Sequence, residues 1–493
     1  MKWLLINILA MGCTGCTTVV AGKKASASGF VMLGHNEDNL KGKMTTLYSV
    51  PRRNHPKGEW IEMNGGGRVA QVDTTWAYLW SETPNERFSD FYLNEWRVVV
   101  TSNSAATKEQ DLQLLKETGQ IVDGGIDYWL RRLVAERART AREGLDIALS
   151  LVEKFGYNAS GRMYTIADRE EAWVVQLIAG KHYFARRVPD DEVAVIPNNL
   201  IMGEIDSQDR GEVIVSDDIQ AYAVARGWYQ PDTPFQFDRV FELNGKGILS
   251  EEGFDNRHWA GQRILLEREP NPGPLPFSIK PARPVTIDVI KRVLRNHQQG
   301  GMGEANPGWP HHVDQEKDRA ICHDTSRESL IVEYGNRLPD GMDTLLWRAQ
   351  GYPCSSIYVP FFLGIRSIPQ GYSLLDPEEA IATHFNRDET VLADGRNSFY
   401  RFDALCKWVD EEYRSRSPEI QEQVRIFEEG MEKEVRGFLR QLPDHASAAS
   451  HSSAWDRERI LEELEAFTEK ACQKALAWVE AQLRKTSFCR GIE

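Results

Sequence analysis

Cys16-Thr-Thr-Val-Val-Ala-Gly-Lys-Lys-Ala-Ser26, then Phe30 to Leu33, then Gly34-His-Asn-Glu-Asp38, is the stretch on which the rest of the chain turns. Thr17 to Ala21 and Phe30 to Leu33 are short β-branched or apolar runs. Gly22-Lys-Lys-Ala-Ser-Ala-Ser-Gly29 between them is rich in turn formers. The pattern predicts a β-hairpin that begins at Cys16 and carries Gly34 to Asp38 at the end of its second strand. An antiparallel return brings Asp38 back beside Cys16.

The residues before Cys16 read as a leader. Lys2 is followed by a mostly apolar run, Trp3 to Ala10, and then by the small residues Gly12, Cys13, Thr14 and Gly15. This is the outline of a short signal peptide, and it predicts a secreted or periplasmic protein from which residues 1–15 are removed. Eight residues are too few to span a bilayer. Cleavage after Gly15 would leave a first residue with both a thiol and an α-amine. An α-amine has a pKa of about 7.7–8.0 and accepts a proton near neutrality. A thiol with a built-in base is an activated nucleophile for acyl transfer. Such chemistry needs a polar group to hold the amine and donors for the oxyanion. Asp38 fits the first need. Asn103 in Thr101-Ser-Asn-Ser104 and Asn198 in Ile196-Pro-Asn-Asn199 sit at ends of predicted strands and fit the second. Ala10-Met-Gly-Cys13 also resembles a lipoprotein cleavage box, and a lipid-bearing Cys13 would leave Cys16 without a free amine. Cys13-Thr-Gly-Cys16 is a C-x-x-C, but a redox site of that kind precedes a helix, and here a β-rich stretch follows.

Further along, Met44 to Val50, Val69 to Leu79 and Trp96 to Thr101 read as strands. Ile126 to Phe155 has apolar residues at spacings of three and four, predicting helix with a break near Glu143-Gly144 and a stop at Gly156. Arg162–Ala167, Trp173–Leu177, His182–Arg187 and Val193–Ile196 predict a meander. Thr286 to Arg295 reads as helix, and Asp324–Val332 and Ser355–Phe362 as strands. From Phe399 the chain is helical and charged, with Asp444 to Ser453 separating two long helices. Strands grouped together and followed by helices predict an α+β fold.

The 493 residues carry 59 Lys+Arg and 73 Asp+Glu, a net charge of −14, which argues against nucleic-acid partners. With 41% apolar and 27% charged residues the chain is neither disordered nor a multi-span membrane protein. Seven cysteines are too sparse for a disulfide scaffold. His311, His312, Cys322, His323 and Asp324 are candidate metal ligands, but their spacing fits no tetrahedral zinc pattern and no H-E-x-x-H is present. They are read as surface and loop residues, with no metal and no cofactor expected. Asn158-Ala-Ser160 is a formal glycosylation acceptor, meaningful only in a eukaryotic secretory host.

The hairpin and the Gly34–Asp38 segment resemble the start of the dipeptidase and secernin family of N-terminal-nucleophile hydrolases. The likeness continues through Gly124-Gly125, Arg131 to Arg139, Ile166-Ala-Asp-Arg-Glu-Glu-Ala-Trp173, Arg187-Val-Pro-Asp-Asp191, Thr325-Ser-Arg-Glu-Ser329 and Ser355-Ser-Ile-Tyr-Val-Pro-Phe361. It covers residues 16 to about 400. The resemblance implies a four-layer αββα sandwich over 16–400, a helical region 401–493 packed on it, and hydrolysis of dipeptides through an acyl-enzyme. It implies Cys16 as nucleophile with its own amine as base, Asp38 orienting the amine, Asn103 and Asn198 at the oxyanion positions (with Asn199 an open neighbour), and His35 and Asn36 toward the substrate. The related bile-salt hydrolases and penicillin acylases carry arginine near the place of His35. A later arginine of the superfamily has three open counterparts here, Arg257, Arg263 and Arg327. Alternatives are an amidase of the bile-salt or penicillin type, and a silent secernin-like or lipid-anchored binding protein. The charged C-terminal helices are either solvated faces or a packing surface for another copy, so a homo-oligomer stays open.

Overall fold

The computed structural model describes residues 15–40, 42–204, 211–243, 255–271, 273–297, 311, 320–392, 395–442 and 454–489. The leader before Gly15, His312 and the Asp444–Ser453 segment lie outside the described residues. Two antiparallel sheets, of seven and eight strands, dominate. In chain order the strands begin with β1 (Thr17–Ala21), β2 (Met32–Asp38), β3 (Thr46–Val50), β4 (Tyr78–Glu82) and β5 (Phe91–Asn94). Next come β6 (Val99–Ser104), β7 (Tyr157–Ala167), β8 (Ala172–Gly180), β9 (Tyr183–Arg187) and β10 (Val193–Ile196). The last are β11 (Val213–Val215), β12 (Ser278–Ile279), β13 (Ser326–Glu333), β14 (Leu345–Gln350) and β15 (Val359–Phe362). The first sheet runs β12-β10-β1-β2-β13-β14-β15 and the second β11-β9-β8-β7-β6-β5-β4-β3.

The expected hairpin forms, with Thr18 opposite His35 and Val20 opposite Leu33. Gly34 to Asp38 ends β2 as expected, and β13 pairs along its other edge. Strand alternation then sorts the side chains. Thr18, Val20, Leu33, His35 and Glu37 face the second sheet, and Gly34 and Asn36 face helix. A Cβ on Gly34 would lie 2.3 Å from Ile290 Cγ2, so glycine is what lets that helix sit close. Thr18 bonds Asn103 across the gap between the sheets, and Ser81 bonds Glu328.

Helices cover both outer faces. α1 (Trp129–Arg137) and α2 (Ala141–Phe155) pack on the second sheet. α3 (Asn256–Leu266) and α4 (Ile287–Leu294) pack on the first. The C-terminal helices α5 (Ser398–Glu411), α6 (Tyr413–Gln441) and α7 (Ala454–Cys489) extend that layer, α5 against β14 and α7 against β15. The fold is therefore α+β in four layers, αββα, with a helical C-terminal region. Residue 401 lies inside α5. Among the described residues no helix is long and apolar enough to cross a membrane.

Three departures from the sequence reading have local causes. The break between α1 and α2 falls at Ala138–Thr140, ahead of the expected one, because Thr140 caps α2 by accepting from Glu143 N–H at 3.1 Å while Glu143 Oε2 accepts from Arg139 N–H at 2.7 Å. The Thr140 bond is the first half of a capping box, while the Glu143 side chain reaches back to the N–H one residue before the cap. The expected four-strand meander loses its fourth strand: β10 crosses to pair with β1, and β11 takes the free edge of β9. Pro189, between β9 and β10, has no N–H to continue a ladder. The run Val69–Leu79 is broken, with only its last two residues in β4. Gly156, at φ 75°, ends α2 as expected.

Candidate active site around Cys16

Cys16 immediately precedes β1 and is 5% exposed. Its Sγ lies 3.6 Å from Glu37 Oε1 and 3.8 Å from the Asp38 carbonyl. From Glu37 a chain of polar contacts runs between the sheets. Glu37 Oε2 is 3.2 Å from His35 Nε2, His35 Nδ1 is 2.8 Å from Thr18 Oγ1, and the Thr18 hydroxyl donates to Asn103 Oδ1 at 2.7 Å. Asn103 Nδ2 donates to the Ile196 carbonyl at 3.0 Å, which fixes the amide's orientation. Since the Thr18 proton goes to Asn103, His35 must donate from Nδ1. One proton is then shared between His35 Nε2 and Glu37. Burial pushes the Glu37 carboxyl up, against the pull of His35 and Arg131. Burial also pushes the Cys16 thiol up; Glu37 and Asp38 add to this, and the Asp38 carbonyl and Arg162 oppose it. The balance favours the protonated thiol.

On the other side of Cys16 stands Arg257, at the start of α3 and fully buried. Its Nη1 donates to the Gly15 carbonyl at 2.7 Å, the Cys16 carbonyl at 3.1 Å and Asn198 Oδ1 at 2.6 Å. Nε and Nη2 meet Asp255 at 3.3 and 3.1 Å. Asp255 is also the N-cap of α3 and accepts from Asn199 Nδ2 at 2.8 Å. Asp38 has two buried carboxylate oxygens without a hydrogen-bond partner. His323 Nε2 approaches Asp38 Oδ2 at 3.3 Å. Burial works against a charged His323, but Asp38 and Asp324 outweigh it and raise its pKa. A Cβ on Gly15 would lie 2.7 Å from Arg257 Nη1 and 3.3 Å from His323 Nε2, so a residue without a side chain fits best there.

Of the expected residues, Cys16, Asp38 and Asn198 come together. Asn198 reaches Cys16 through Arg257 and spends its own amide on the Ser104 carbonyl and hydroxyl, both at 2.9 Å. Asn103 lies on the second sheet and is committed at both ends of its amide. His35 is buried within the polar chain. Asn36 is on the opposite face of β2: its amide donates to Leu294 and Ile321 carbonyls and accepts from Ser329, which leaves nothing for a substrate at Cys16. Of the three open arginines, Arg257 is the one at Cys16; Arg263 stacks on Trp259, and Arg327 pairs with Asp403. The sequence reading passed over Glu37 and His323 as site residues. For Glu37 the signal was available, since alternation puts it on the face of His35.

Donor atoms of Cys16, His35 and Glu37 lie within 4.8 Å of one another, but a cation there would have to displace the contacts just described. His311 and Cys322, expected as surface and loop residues, do lie outside helices and strands but are buried, together with His297 and Cys354. That set does not include His323 or Asp324.

The family model described as Peptidase family C69 matches residues 15–424. The chain is similar to a probable dipeptidase of Latilactobacillus sakei, 24% identical over 484 residues, covering 96% of this chain and 97% of that one. It is similar to a dipeptidase of Bifidobacterium longum, 24% identical, covering 72% of each. Among solved structures it aligns with an ortholog of N-acylethanolamine-hydrolyzing acid amidase from Caenorhabditis elegans, at 14% identity and a TM-score of 0.28, over 66% of this chain and 96% of that one. A mutant conjugated bile acid hydrolase from Clostridium perfringens aligns at 12% identity and a TM-score of 0.29, over 68% and 89%.

Proposed function

Because the chain belongs to peptidase family C69, we propose that this hydrolase is a cysteine dipeptidase in which Cys16, freed of residues 1–15, is the nucleophile and its own α-amine the base. The observation that carries this reading is the setting of the Gly15–Cys16 peptide. Arg257 grips the Gly15 and Cys16 carbonyls, and Asp38 offers two buried oxygens without hydrogen-bond donors, one of them in an ion pair with His323 Nε2 at 3.3 Å. Removal of the leader would turn the Cys16 amide into an amine, and an ammonium there would supply those donors. It would also free Arg257 Nη1 of the Gly15 carbonyl, leaving a guanidinium donor beside the nucleophile.

The steps follow from those groups. The Cys16 thiol passes its proton to the α-amine, and the thiolate attacks the dipeptide carbonyl. The tetrahedral oxyanion accepts from Arg257, with Asn198 holding the guanidinium in place. Collapse breaks the C–N bond, and the ammonium returns its proton to the departing amine. Water, deprotonated by the α-amine, then hydrolyses the thioester and restores the thiol. Relatives named as dipeptidases support small peptides as the substrates. Export accompanies leader removal in this reading.

The test is made on the mature chain. Its mass should show a start at unmodified Cys16; a diacylglyceryl Cys13 would overturn the reading. Cys16→Ala should lose turnover on a dipeptide panel, and retained turnover would refute the mechanism. Activity confined to acyl amides would move the assignment to an amidase.

A further inference from the structure

Four buried donors from separate stretches converge away from the Cys16 nucleophile. They are His297 just beyond α4, His311, Cys322 shortly before β13, and Cys354 shortly after β14; each is 4% exposed or less. Their ligating atoms all lie within 4.8 Å of one another. His311 Nε2 is 3.1 Å from His297 Nε2, 3.4 Å from Cys354 Sγ and 3.7 Å from Cys322 Sγ. A tetrahedral zinc ion with Zn–S of about 2.3 Å and Zn–N of about 2.0–2.1 Å has N–N edges of about 3.3 Å and N–S edges of about 3.6 Å. The three observed edges lie on either side of these values by a few tenths of an ångström.

The surrounding groups orient the donors. Asp410 Oδ1 is 2.7 Å from His311 Nδ1, and the Tyr413 hydroxyl is 3.5 Å from His297 Nδ1. A carboxylate accepts, so His311 carries its proton on Nδ1 and turns the Nε2 lone pair inward, the arrangement of a carboxylate–histidine–metal unit. With His297 in the same tautomer, two lone pairs would face each other across 3.1 Å, and a cation between them removes that repulsion. Cys322 and Cys354 are both free thiols. A cleft of about 650 Å³ reaches His297 and Cys354, with Asn296 and Glu428 also in its wall, and gives an ion a way in.

We propose that His297, His311, Cys322 and Cys354 bind one zinc ion in a closed, structural site. Cys322 and Cys354 release their thiol protons to solvent, and the two neutral Nε2 atoms complete the tetrahedron. Four protein ligands leave no open position for a reacting water. The site joins the end of α4 to the α5–α6 junction and clamps the segment whose next residue, His323, meets Asp38. It is thus a clasp that positions one wall of the Cys16 site.

The test uses the full chain, equilibrated with Zn²⁺ and dialysed free of excess. About one zinc per chain is expected. Substitution with Co²⁺ should give the intense absorption of tetrahedral cobalt with thiolate charge transfer. Both signals should persist in Cys16→Ala and Cys472→Ser and be lost in Cys354→Ser. Should Cys354→Ser not fold, Asp410→Asn keeps all four ligands and should weaken zinc about 10–100-fold in chelator competition. A chain that stays zinc-free after equilibration, cobalt without thiolate charge transfer, an unchanged affinity in Asp410→Asn, or a Cys322–Cys354 disulfide in the peptide map would each overturn the proposal. None of these readouts depends on dipeptidase activity.

Discussion

Arg257→Lys separates charge from geometry beside Cys16, the proposed nucleophile. The wild-type guanidinium does two jobs at once. Nε and Nη2 sit on Asp255, while Nη1 reaches Gly15, Cys16 and Asn198. A lysine ammonium is a single point on a flexible stem and cannot span both sets. Asp255 is 3% exposed and needs a cation, so the ammonium will stay with it and abandon the carbonyl side. The fold should survive, because Asp255 also keeps its bonds from Asn199 and from the first N–H groups of α3. Loss of one preorganised oxyanion donor costs about 10²–10³ in kcat, or roughly 2.7–4 kcal/mol. The expected outcome is a kcat on dipeptides lower by that factor, with little change in KM. The assay is steady-state kinetics on protein whose mass shows a start at Cys16, alongside its thermal midpoint. A correctly processed Arg257→Lys chain with kcat near that of wild type would refute the oxyanion role.

Glu37→Gln removes one of the charges that raise the Cys16 thiol, so its pKa should fall. The acid limb of iodoacetamide alkylation should then move to lower pH; an unmoved limb would detach Glu37 from the thiol. Glu242 is pushed up to about 8, by burial first and then by Asp238 and Asp255. The folded chain therefore holds a proton that the unfolded chain releases near pH 4.5, and this group's contribution to stability declines as pH rises from about 4.5 to about 8. Glu242→Gln should raise the thermal midpoint more at pH 8 than at pH 5, and equal shifts at both would contradict the burial argument. Thr140→Ala should cost about 1 kcal/mol by uncapping α2, measured by denaturant unfolding.

The sequence carried the local rules further than the long-range ones. β-branched Thr17–Val20 and the Gly22–Gly29 turn announced the first hairpin, and Gly156 announced the end of α2. Thr140 with Glu143 was a legible capping-box pattern whose signal was outweighed by the glycine at 144. Which sheet a strand joins was not legible, because Val193–Ile196 has the same apolar character beside β9 as beside β1. At the site, Cys16 and Asp38 were readable because one hairpin brings them together. Asn36 was misjudged from closeness in sequence, although a period of two sends it to the helix side. Arg257 comes from more than 240 residues away, and nothing in spacing alone favours it over Arg263 or Arg327. His297 and Cys354 have no motif spacing to His311 and Cys322, and two strands, β13 and β14, separate Cys322 from Cys354.

The C-terminal helices reach into the catalytic half through buried charges. Asp403 of α5 holds Arg327, and Glu428 of α6 holds Arg295 and Lys291. Shortening the gene at its 3′ end would thus do more than trim an ornament: guanidinium and ammonium groups would be stranded in the interior. Deletion libraries of this chain should show a sharp loss of soluble product well upstream of the terminus, and the tail should prove impossible to transplant as a free-standing cassette.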